Sequence, residues 1–243
     1  ARARAELAAA GAHVHAFVGD MTNAAQVRQL IPSIEDEEGP IDVVVNNAGL
    51  FQVGPYDSTT VDDYDRAMRT HFWGPLYIIQ TVLPKMRERH FGRIVNIASI
   101  GGKVSVPHLL PYSASKFALV GLSEGLRAEL AKDNVYVTTV CPGLMRIGGA
   151  RRLRLTEQQS AEYALFAAGD DAPTLPASGT RMARRIVEAC RYAEAEVVIG
   201  APARAAAWLH GLLPGMTSEA LSILNRLLPK SRAPENHEPA TNQ

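Results

Sequence analysis

The sequence predicts an α/β fold in which helices cover both faces of a doubly wound parallel sheet. Beyond Gly11, short runs rich in β-branched residues alternate with longer helical stretches, a pattern typical of consecutive βαβ units. The short runs are apolar throughout, as expected of strands buried on both faces. A three-layer α/β/α sandwich accounts for both observations.

Five strands and seven helices are predicted. The strands cover residues 13–18, 41–45, 93–97, 135–140 and 196–199. The helices cover residues 1–10, 24–37, 61–89, 113–131, 179–192, 203–213 and 218–228. Gly74-Pro75 interrupts the third helix, so two shorter helices are the alternative there, although apolar residues resume at once and we expect one.

The last two helices form a C-terminal extension from about residue 203. Leu221, Leu224 and Leu228 fall on one stripe, which favours packing as a cap over the site or as a subunit contact. A membrane-surface helix is the alternative. Residues 1–232 are thus predicted to form a single domain, and residues 233–243, rich in Pro and polar side chains, a disordered tail.

The composition excludes several classes of protein. The 243 residues are 47% hydrophobic, and 25 Lys+Arg balance 25 Asp+Glu, so nucleic acid is not an expected partner. No apolar stretch reaches the ~20 residues of a membrane span. Cys141 and Cys190 lack metal-ligand spacing, so no metal site is predicted, and reduced thiols favour a cytoplasmic protein.

Polar and small residues follow four of the predicted strands. They are Asp20, the run Asn46-Asn47-Ala48-Gly49, Ser99 and the pair Pro142-Gly143. In open parallel sheets, ligands bind beyond the carboxyl ends of the strands. We therefore expect these residues to share one site.

Tyr112 and Lys116 lie one helical turn apart, so the phenol and the ammonium share a helix face. The cation is expected to lower the phenol pKa from about 10, so that Tyr112 exchanges a proton near neutral pH. A carbonyl that accepts a hydride develops negative charge on its oxygen, which Tyr112 and Ser99 would hold by hydrogen bonds. Taken alone, Tyr-x-x-x-Lys is a common pattern, and Ser99 could simply end a strand.

Taken together and in this order, the motifs around Asn46, Ser99, Tyr112, Lys116 and Pro142 resemble the classical short-chain dehydrogenase/reductase family, from about the first helix to Ile199. The resemblance implies a Rossmann-type fold. It also implies an NAD(P)-dependent oxidoreductase that interconverts an alcohol and a ketone or aldehyde, with Tyr112 as general acid/base. A homodimer or homotetramer, paired through the helices at 61–89 and 113–131, is implied as well.

The resemblance further assigns residues to the cofactor. They are Asp20, Asn46, Ala48, Gly49, Tyr112, Lys116, Pro142 and Gly143. Asp20 matches an acidic residue that contacts adenine, although it is equally well placed to cap the next helix. Lys116 matches a residue that bonds the nicotinamide ribose, and Pro142-Gly143 flanks the nicotinamide, although a turn explains Pro-Gly equally well.

Three features depart from the family pattern. No Gly-rich turn of the form Thr-Gly-x-x-x-Gly-x-Gly precedes Asp20, and this turn would hold the cofactor pyrophosphate. His71 stands where the family usually has Asn; we hypothesise that it joins the catalytic set in a proton relay, the alternative being that it only fills a helix interface. Ile147 stands where Thr often bonds the nicotinamide carboxamide, so that contact is lost or replaced.

The missing turn sets three expectations. The sequence lacks the first β-α-β unit of the fold, so a strand that should lie between residues 13–18 and 41–45 is absent. NAD and NADP cannot be told apart, because the residue that reads the ribose follows the missing second strand. The polypeptide as written is expected to be inactive by itself.

The substrate site is expected between residues 100–110 and a long segment at 144–176, which would act as a lid. Ile100, Val106 and Leu109 favour a bulky hydrophobic alcohol or ketone. A non-catalytic nucleotide-binding or interaction protein is the main alternative, and intact Ser99 and Tyr112 count against it. An epimerase or dehydratase is a further alternative, against which the short C-terminal region counts.

Overall fold

The computed structural model describes residues 2–143, 145–146 and 177–228. In chain order, its helices and strands are α1 (Arg2–Ala9), α2 (Ala24–Glu38), β1 (Val43–Asn46), α3 (Val61–Met68), α4 (Gly74–Glu88), β2 (Gly92–Ile97), α5 (Leu110–Leu130), β3 (Val135–Pro142), β4 (Met145–Arg146), β5 (Ala177–Ser178), α6 (Gly179–Arg191), β6 (Glu196–Ile199), α7 (Ala201–Leu212) and α8 (Pro214–Leu227).

Four parallel strands form the main sheet in the order β1-β2-β3-β6. The register places Val44, Ile94 and Val137 side by side on one face, where α2, α4 and α5 bury them in a common apolar cluster. Helix α6 packs against β2, β3 and β6. The predicted α/β class, a Rossmann-like parallel sheet flanked by helices, is therefore confirmed. A separate two-stranded ladder joins β4 to β5.

The predicted strand at residues 13–18 is wrong. This segment has no regular secondary structure, and Val18 is 99% exposed. A strand is stabilised by hydrogen bonds to a neighbour, and no strand of residues 2–143, 145–146 or 177–228 pairs with this one. The segment therefore stays irregular and largely solvated, although Val14, Phe17 and Val18 favour a strand.

The predicted helix at 61–89 is one continuous helical run with a widened turn inside it. Helix α3 passes into α4 through a π-helical segment, Arg69–Trp73, in which the Gly74 N–H bonds the Arg69 carbonyl five residues back. Pro75 has no N–H for the His71 carbonyl, and its ring would clash with that carbonyl in an α-helix. The π turn relieves this conflict and faces His71 inward.

The other predicted helices are present with small shifts of their ends. Helix α5 begins at Leu110, earlier than predicted, so that Tyr112 and Lys116 both lie within it. Asn23, and not Asp20, caps α2, since its Oδ1 accepts the N–H groups of Ala25 and Gln26 at 3.0 and 3.2 Å. No helix within the described part of the chain has the length and apolarity needed to cross a bilayer.

Candidate active site

Ser99, Tyr112 and Lys116 meet beyond the carboxyl end of β2. Ser99 follows that strand in extended conformation and caps a 3-10 turn, Ile100–Gly102, by accepting the Gly101 N–H at 3.0 Å. The chain then returns through α5, whose first turn carries Tyr112. The two motifs are adjacent because β2 and α5 end and begin at the same edge of the sheet.

The Tyr112 ring is held in a fixed position by three contacts. Its hydroxyl lies near the Ser99 hydroxyl, whose hydrogen bonding lowers the pKa of Tyr112. The ring meets Phe51 and His71 edge to face, with centroids 5.2 and 5.4 Å away and interplanar angles of 74° and 88°. These geometries are the favoured ones for aromatic pairs.

Two glycines allow this close packing. A Cβ on Gly101 would lie 3.1 Å from the Tyr112 ring, and a Cβ on Gly102 would lie 2.7 Å from the Lys116 carbonyl oxygen. Any side chain at Gly102 would therefore push the 3-10 turn away from α5. The Gly101-Gly102 pair was not predicted as part of the catalytic site, although a glycine pair close after a site residue is a usable signal of close backbone approach.

Lys116 is buried, with 5% of its surface exposed. Its Nζ donates to the Ile97 carbonyl at 2.8 Å and lies 5.8 Å from the centre of the Tyr112 ring. Burial lowers the pKa of Lys116 to about 8, because the interior disfavours a charged ammonium.

The expected lowering of the Tyr112 pKa does not occur. Burial raises that pKa above its usual 10, and the Ser99 hydrogen bond offsets only part of the rise. The ammonium donates to a backbone carbonyl and not to the phenol. Removal of the phenolate from water therefore outweighs the attraction of the cation.

His71 is fully buried behind Tyr112. Its Nε2 accepts the Leu50 N–H at 3.1 Å, and its Nδ1 lies 2.7 Å from the Ser115 hydroxyl. Burial, together with the Lys116 charge, lowers the pKa of His71 from 6.5 to about 3. The imidazole is thus neutral at physiological pH. Ser115, which the sequence analysis did not single out, is its partner within Tyr-Ser-Ala-Ser-Lys.

The residues assigned to the adenosine half divide into two environments. Ala48 and Gly49 are exposed, and the nearest atom to where a Gly49 Cβ would be is His71 Nε2, at 3.4 Å. The buried Asn46 amide instead belongs to the sheet, since its Nδ2 donates to Asn96 Oδ1 at 2.8 Å. Asp20 is exposed and accepts both the N–H and the hydroxyl of Thr22, each at 2.8 Å, which lowers its pKa.

Pro142 and Gly143 lie at the carboxyl end of β3. The Gly143 N–H donates to the Ile199 carbonyl at 2.9 Å, and a Cβ at this position would lie 2.8 Å from the Ala203 Cβ. Gly143 therefore has a packing role against the start of α7. Leu144, Ile147 and most of the expected lid at 144–176 lie outside the described residues, as does the tail at 233–243.

The donor set fits one half of a nicotinamide dinucleotide. A buried ammonium, a phenol and a serine hydroxyl converge at the edge of the sheet where ligands bind. The exposed small residues Ala48 and Gly49 leave room for close backbone approach to a ligand. No Gly-rich phosphate turn occurs in the 243 residues, so the chain's own residues account for the nicotinamide half better than for the pyrophosphate.

Comparison with known proteins identifies the family of this chain. The family described as short chain dehydrogenase matches residues 1–158. A dehydrogenase/reductase SDR family protein 7-like from Anopheles gambiae is 35% identical over 198 residues, which are 81% of this chain and 61% of that protein. A 3-ketodihydrosphingosine reductase from Bacteroides thetaiotaomicron is 38% identical over 153 residues, which are 62% of this chain and 57% of that protein. The chain thus spans about three fifths of these relatives.

Solved structures share the fold. A short-chain dehydrogenase from Streptomyces avermitilis superposes with a TM-score of 0.73 at 27% identity, over 92% of this chain and 84% of that one. ElxO, solved with NADP bound, gives a TM-score of 0.63 at 25% identity, with 75% of each chain covered. Xylitol dehydrogenase, solved with NAD+ bound, gives 0.72 at 24% identity, over 82% of this chain and 83% of that one, and supports the fold alone. This chain belongs to the short-chain dehydrogenase/reductase family.

Proposed function

We propose that the protein containing this chain is an NAD(P)-dependent oxidoreductase that interconverts an alcohol and a ketone or aldehyde, with Tyr112 as general acid/base. One observation carries the proposal: a phenol near the Ser99 hydroxyl lies 5.8 Å, ring centre to Nζ, from a buried lysine, at the carboxyl edge of a parallel sheet. This arrangement supplies a proton, a second hydrogen bond and a nearby cation to one substrate oxygen.

Tyr112 acts as the proton donor in the reducing direction. Because burial raises its pKa above 10, the phenol is protonated at neutral pH. It donates that proton to the substrate oxygen as negative charge develops there, while the Ser99 hydroxyl holds the same oxygen. The protonated phenol is the form that reduction of a carbonyl requires, and the phenolate is the form that oxidation of an alcohol requires.

Lys116 stabilises the phenolate that proton transfer leaves behind. Its pKa of about 8 keeps most of the side chain cationic at pH 7, and its bond to the Ile97 carbonyl fixes the ammonium beside the ring. In a buried site the attraction between ammonium and phenolate is stronger than in water. The proton that Tyr112 loses is thereby easier to give up than its resting pKa suggests.

NAD or NADP supplies or receives the hydride when it is bound. Lys116 and Tyr112 would hold the nicotinamide ribose, Pro142 and Gly143 would flank the ring, and Ala48 and Gly49 would contact the adenosine half, with Asp20 near the adenine. The NADP bound to ElxO supports a nicotinamide dinucleotide as the cofactor. Residues 1–243 by themselves are expected to bind the cofactor weakly, since they contain no Gly-rich phosphate turn.

The proposed substrate is a bulky, largely apolar carbonyl compound. A cavity of about 480 Å³ lies between residues 55–57, residues 105–110 and helix α8. Its lining includes Leu110 and Leu221 together with polar side chains at positions 57, 105, 218, 222 and 225, and Ser99 and Tyr112 are not among its lining residues. This volume falls within the usual range for small-molecule sites. The reduction of a long-chain ketone implied by the name of the Bacteroides relative is consistent with such a substrate.

The subunit and domain arrangement is also a proposal. Residues 1–232 form one nicotinamide-binding domain in which α8 borders the cavity, and copies of the protein pair as a homodimer or homotetramer. Trp73 and Phe117, at the junction of α3 and α4 and on α5, are 41% and 39% exposed. Large apolar side chains at such positions favour a subunit interface.

The test is Tyr112→Phe in the complete protein that contains these residues, followed by absorbance of the reduced nicotinamide with a panel of apolar ketones. We expect turnover to fall at least ~100-fold because the transferable proton is lost, while the dinucleotide still binds through its other contacts. Tyr192→Phe is the matched control, since Tyr192 directly follows α6 and is 69% exposed. Full activity in Tyr112→Phe would refute the assignment.

The same experiment distinguishes an oxidoreductase from a non-catalytic nucleotide-binding protein. A non-catalytic nucleotide-binding protein would bind dinucleotide with unchanged affinity in the wild type and in both variants, with no turnover on any carbonyl or alcohol tried. That outcome would replace the oxidoreductase proposal with the binding function.

A further inference from the structure

We infer that His71 is a neutral brace that holds the cofactor-side loop at residues 47–50 against the Tyr112 turn of α5, and that it is a positioning residue instead of a member of a proton relay. The inference rests on the proposed function for its consequences in catalysis. Its structural content stands on hydrogen bonds that surround one buried ring.

Hydrogen bonds on both ring nitrogens of His71 link the loop after β1 to α5. The Leu50 N–H donates to His71 Nε2 at 3.1 Å. On the other side, His71 Nδ1 is 2.7 Å from Ser115 Oγ, and the Ser115 hydroxyl donates to the Tyr112 carbonyl at 2.8 Å. A single imidazole thus connects the loop after β1 to the backbone of the proposed catalytic tyrosine.

The donors and acceptors fix the tautomer. A backbone N–H only donates, so His71 Nε2 must carry no proton to accept from Leu50. The one proton of the Ser115 hydroxyl is given to the Tyr112 carbonyl, so Ser115 Oγ must accept from the ring. His71 therefore carries its proton on Nδ1, and both ring nitrogens are satisfied.

This arrangement leaves no site on the ring for relaying a proton. A second proton on Nε2 would face the Leu50 N–H and break that bond. The charged groups that face the ring come from α5: Lys116 opposes a positive charge on it, and the Tyr112 ring lies edge to face at 5.4 Å. The relay hypothesis for His71 is therefore replaced by a fixed, uncharged brace.

The brace acts on the two parts that the reaction must bring together. Through Leu50 it fixes the segment that includes Gly49, where a Cβ would lie 3.4 Å from Nε2. Through Ser115 and the ring contact it fixes Tyr112. Loss of the first bond is expected to weaken dinucleotide binding, and loss of the second to lower turnover.

Two substitutions remove one bond each. Asn places an amide at the position of Nδ1 and can still donate to Ser115, but it is too short to reach Leu50. Gln places its amide at the position of Nε2 and can accept from Leu50, but it cannot reproduce the Nδ1 contact. His210→Gln is the control, because His210 Nδ1 makes a similar 2.7 Å contact with the hydroxyl of Thr217 on the helical hairpin.

The first measurement requires no cofactor or turnover. In the ¹⁵N-histidine-labelled protein, the resonance lost in His71→Asn identifies the His71 ring, which should show the Nδ1–H tautomer and no titration between pH 5 and 9. Amide exchange of Leu50 should accelerate roughly tenfold in His71→Asn and stay near the wild-type rate in His71→Gln and His210→Gln.

The second measurement compares the effects of the two substitutions on KM for the dinucleotide and on kcat. His71→Asn should raise KM for the dinucleotide more than it lowers kcat, and His71→Gln should do the reverse, with the pH profile of kcat unmoved in both. A His71 ring that titrates in this range, or Leu50 exchange unaffected by His71→Asn, would overturn the brace. Either failure would leave the Tyr112→Phe result, and with it the proposed function, intact.

Discussion

The two faces of β1 show what a neighbour contributes to a strand. Val44 points into the cluster formed by α2, α4 and β2 and is 8% exposed, while Val43 and Val45 point to the other face and are 46% and 50% exposed. The same residue type, one position apart, is buried or solvated according to what covers it. Two strands along, Val135 and Val137 are fully buried.

A similar contrast separates the start of the chain from the catalytic edge. Residues 13–18 have the composition of a strand and remain irregular. At the edge formed by β2, α5 and the π turn, backbone and side-chain groups of Lys116, His71 and Ser115 are matched at 2.7 to 3.1 Å. Local sequence sets a preference, and packing decides whether the preference is realised.

The largest expected effect concerns His71 and acid stability. The pKa of His71 is about 3 in the fold, below its usual 6.5, so its stabilising effect is complete above pH 6.5 and is lost as pH falls toward 3. Relative to His71→Gln, whose side chain does not titrate, the free energy of unfolding of the wild type should fall by about 4 kcal/mol between pH 6.5 and 3. Urea unfolding at pH 7, 5 and 4 measures the difference, and parallel curves for both proteins would contradict it.

Lys116 should show a dependence of the same sign in the alkaline range, because its pKa is also lowered in the fold. Its pKa is about 8 in the fold and 10.5 when exposed, so burial of the charge costs stability fully below pH 8, and the cost is relieved as pH rises toward 10.5. The free energy of unfolding of the wild type should therefore rise by about 3 kcal/mol relative to that of Lys116→Met between pH 7 and 10.5. Denaturant titrations of both proteins test this, and a constant difference would show that the ammonium is solvated.

Gly102 and Gly121 give a comparison within α5 and its contacts. A Cβ at Gly102 would lie 2.7 Å from the Lys116 carbonyl oxygen, while nothing lies within 4 Å of one at Gly121. Gly102→Ala should cost roughly 1–3 kcal/mol by overpacking. Gly121→Ala should stabilise the exposed helix position by roughly 0.5–1 kcal/mol. Thermal unfolding measures both, and equal effects would mean that the turn after Ser99 moves freely.

The smallest expected effect comes from Val→Thr substitutions on the two faces of the sheet, at positions 137 and 45. Val137→Thr buries a hydroxyl in an apolar cluster and should cost about 2 kcal/mol. Val45→Thr, at a half-exposed position, should change stability by less than about 0.5 kcal/mol. Urea unfolding of the two variants decides between the environments. A loss at Val45 as large as that at Val137 would show that another surface covers this face of β1.

Much of the fold and of the candidate site could be predicted from residue order alone. Apolar runs at residues 93–97, 135–140 and 196–199 became strands because each has a parallel neighbour, and the four-residue spacing placed Tyr112 and Lys116 on one helical face. Strand order also led correctly to Ser99 lying beside Tyr112. These features depend on the periodicity of apolar residues and on the order of strands and helices along the chain, and both can be read from the sequence.

The tertiary structure decided the properties that depend on surroundings. Only packing shows that Lys116 donates to the Ile97 carbonyl and that the pKa of Tyr112 rises. Packing likewise shows His71 accepting from Leu50 and the 13–18 segment without a partner strand. Residue types determined which groups could meet, since helix and strand geometry are local. Protonation, hydrogen-bond direction and strand pairing follow from burial and from neighbours distant in sequence, and these exist only once the chain has folded.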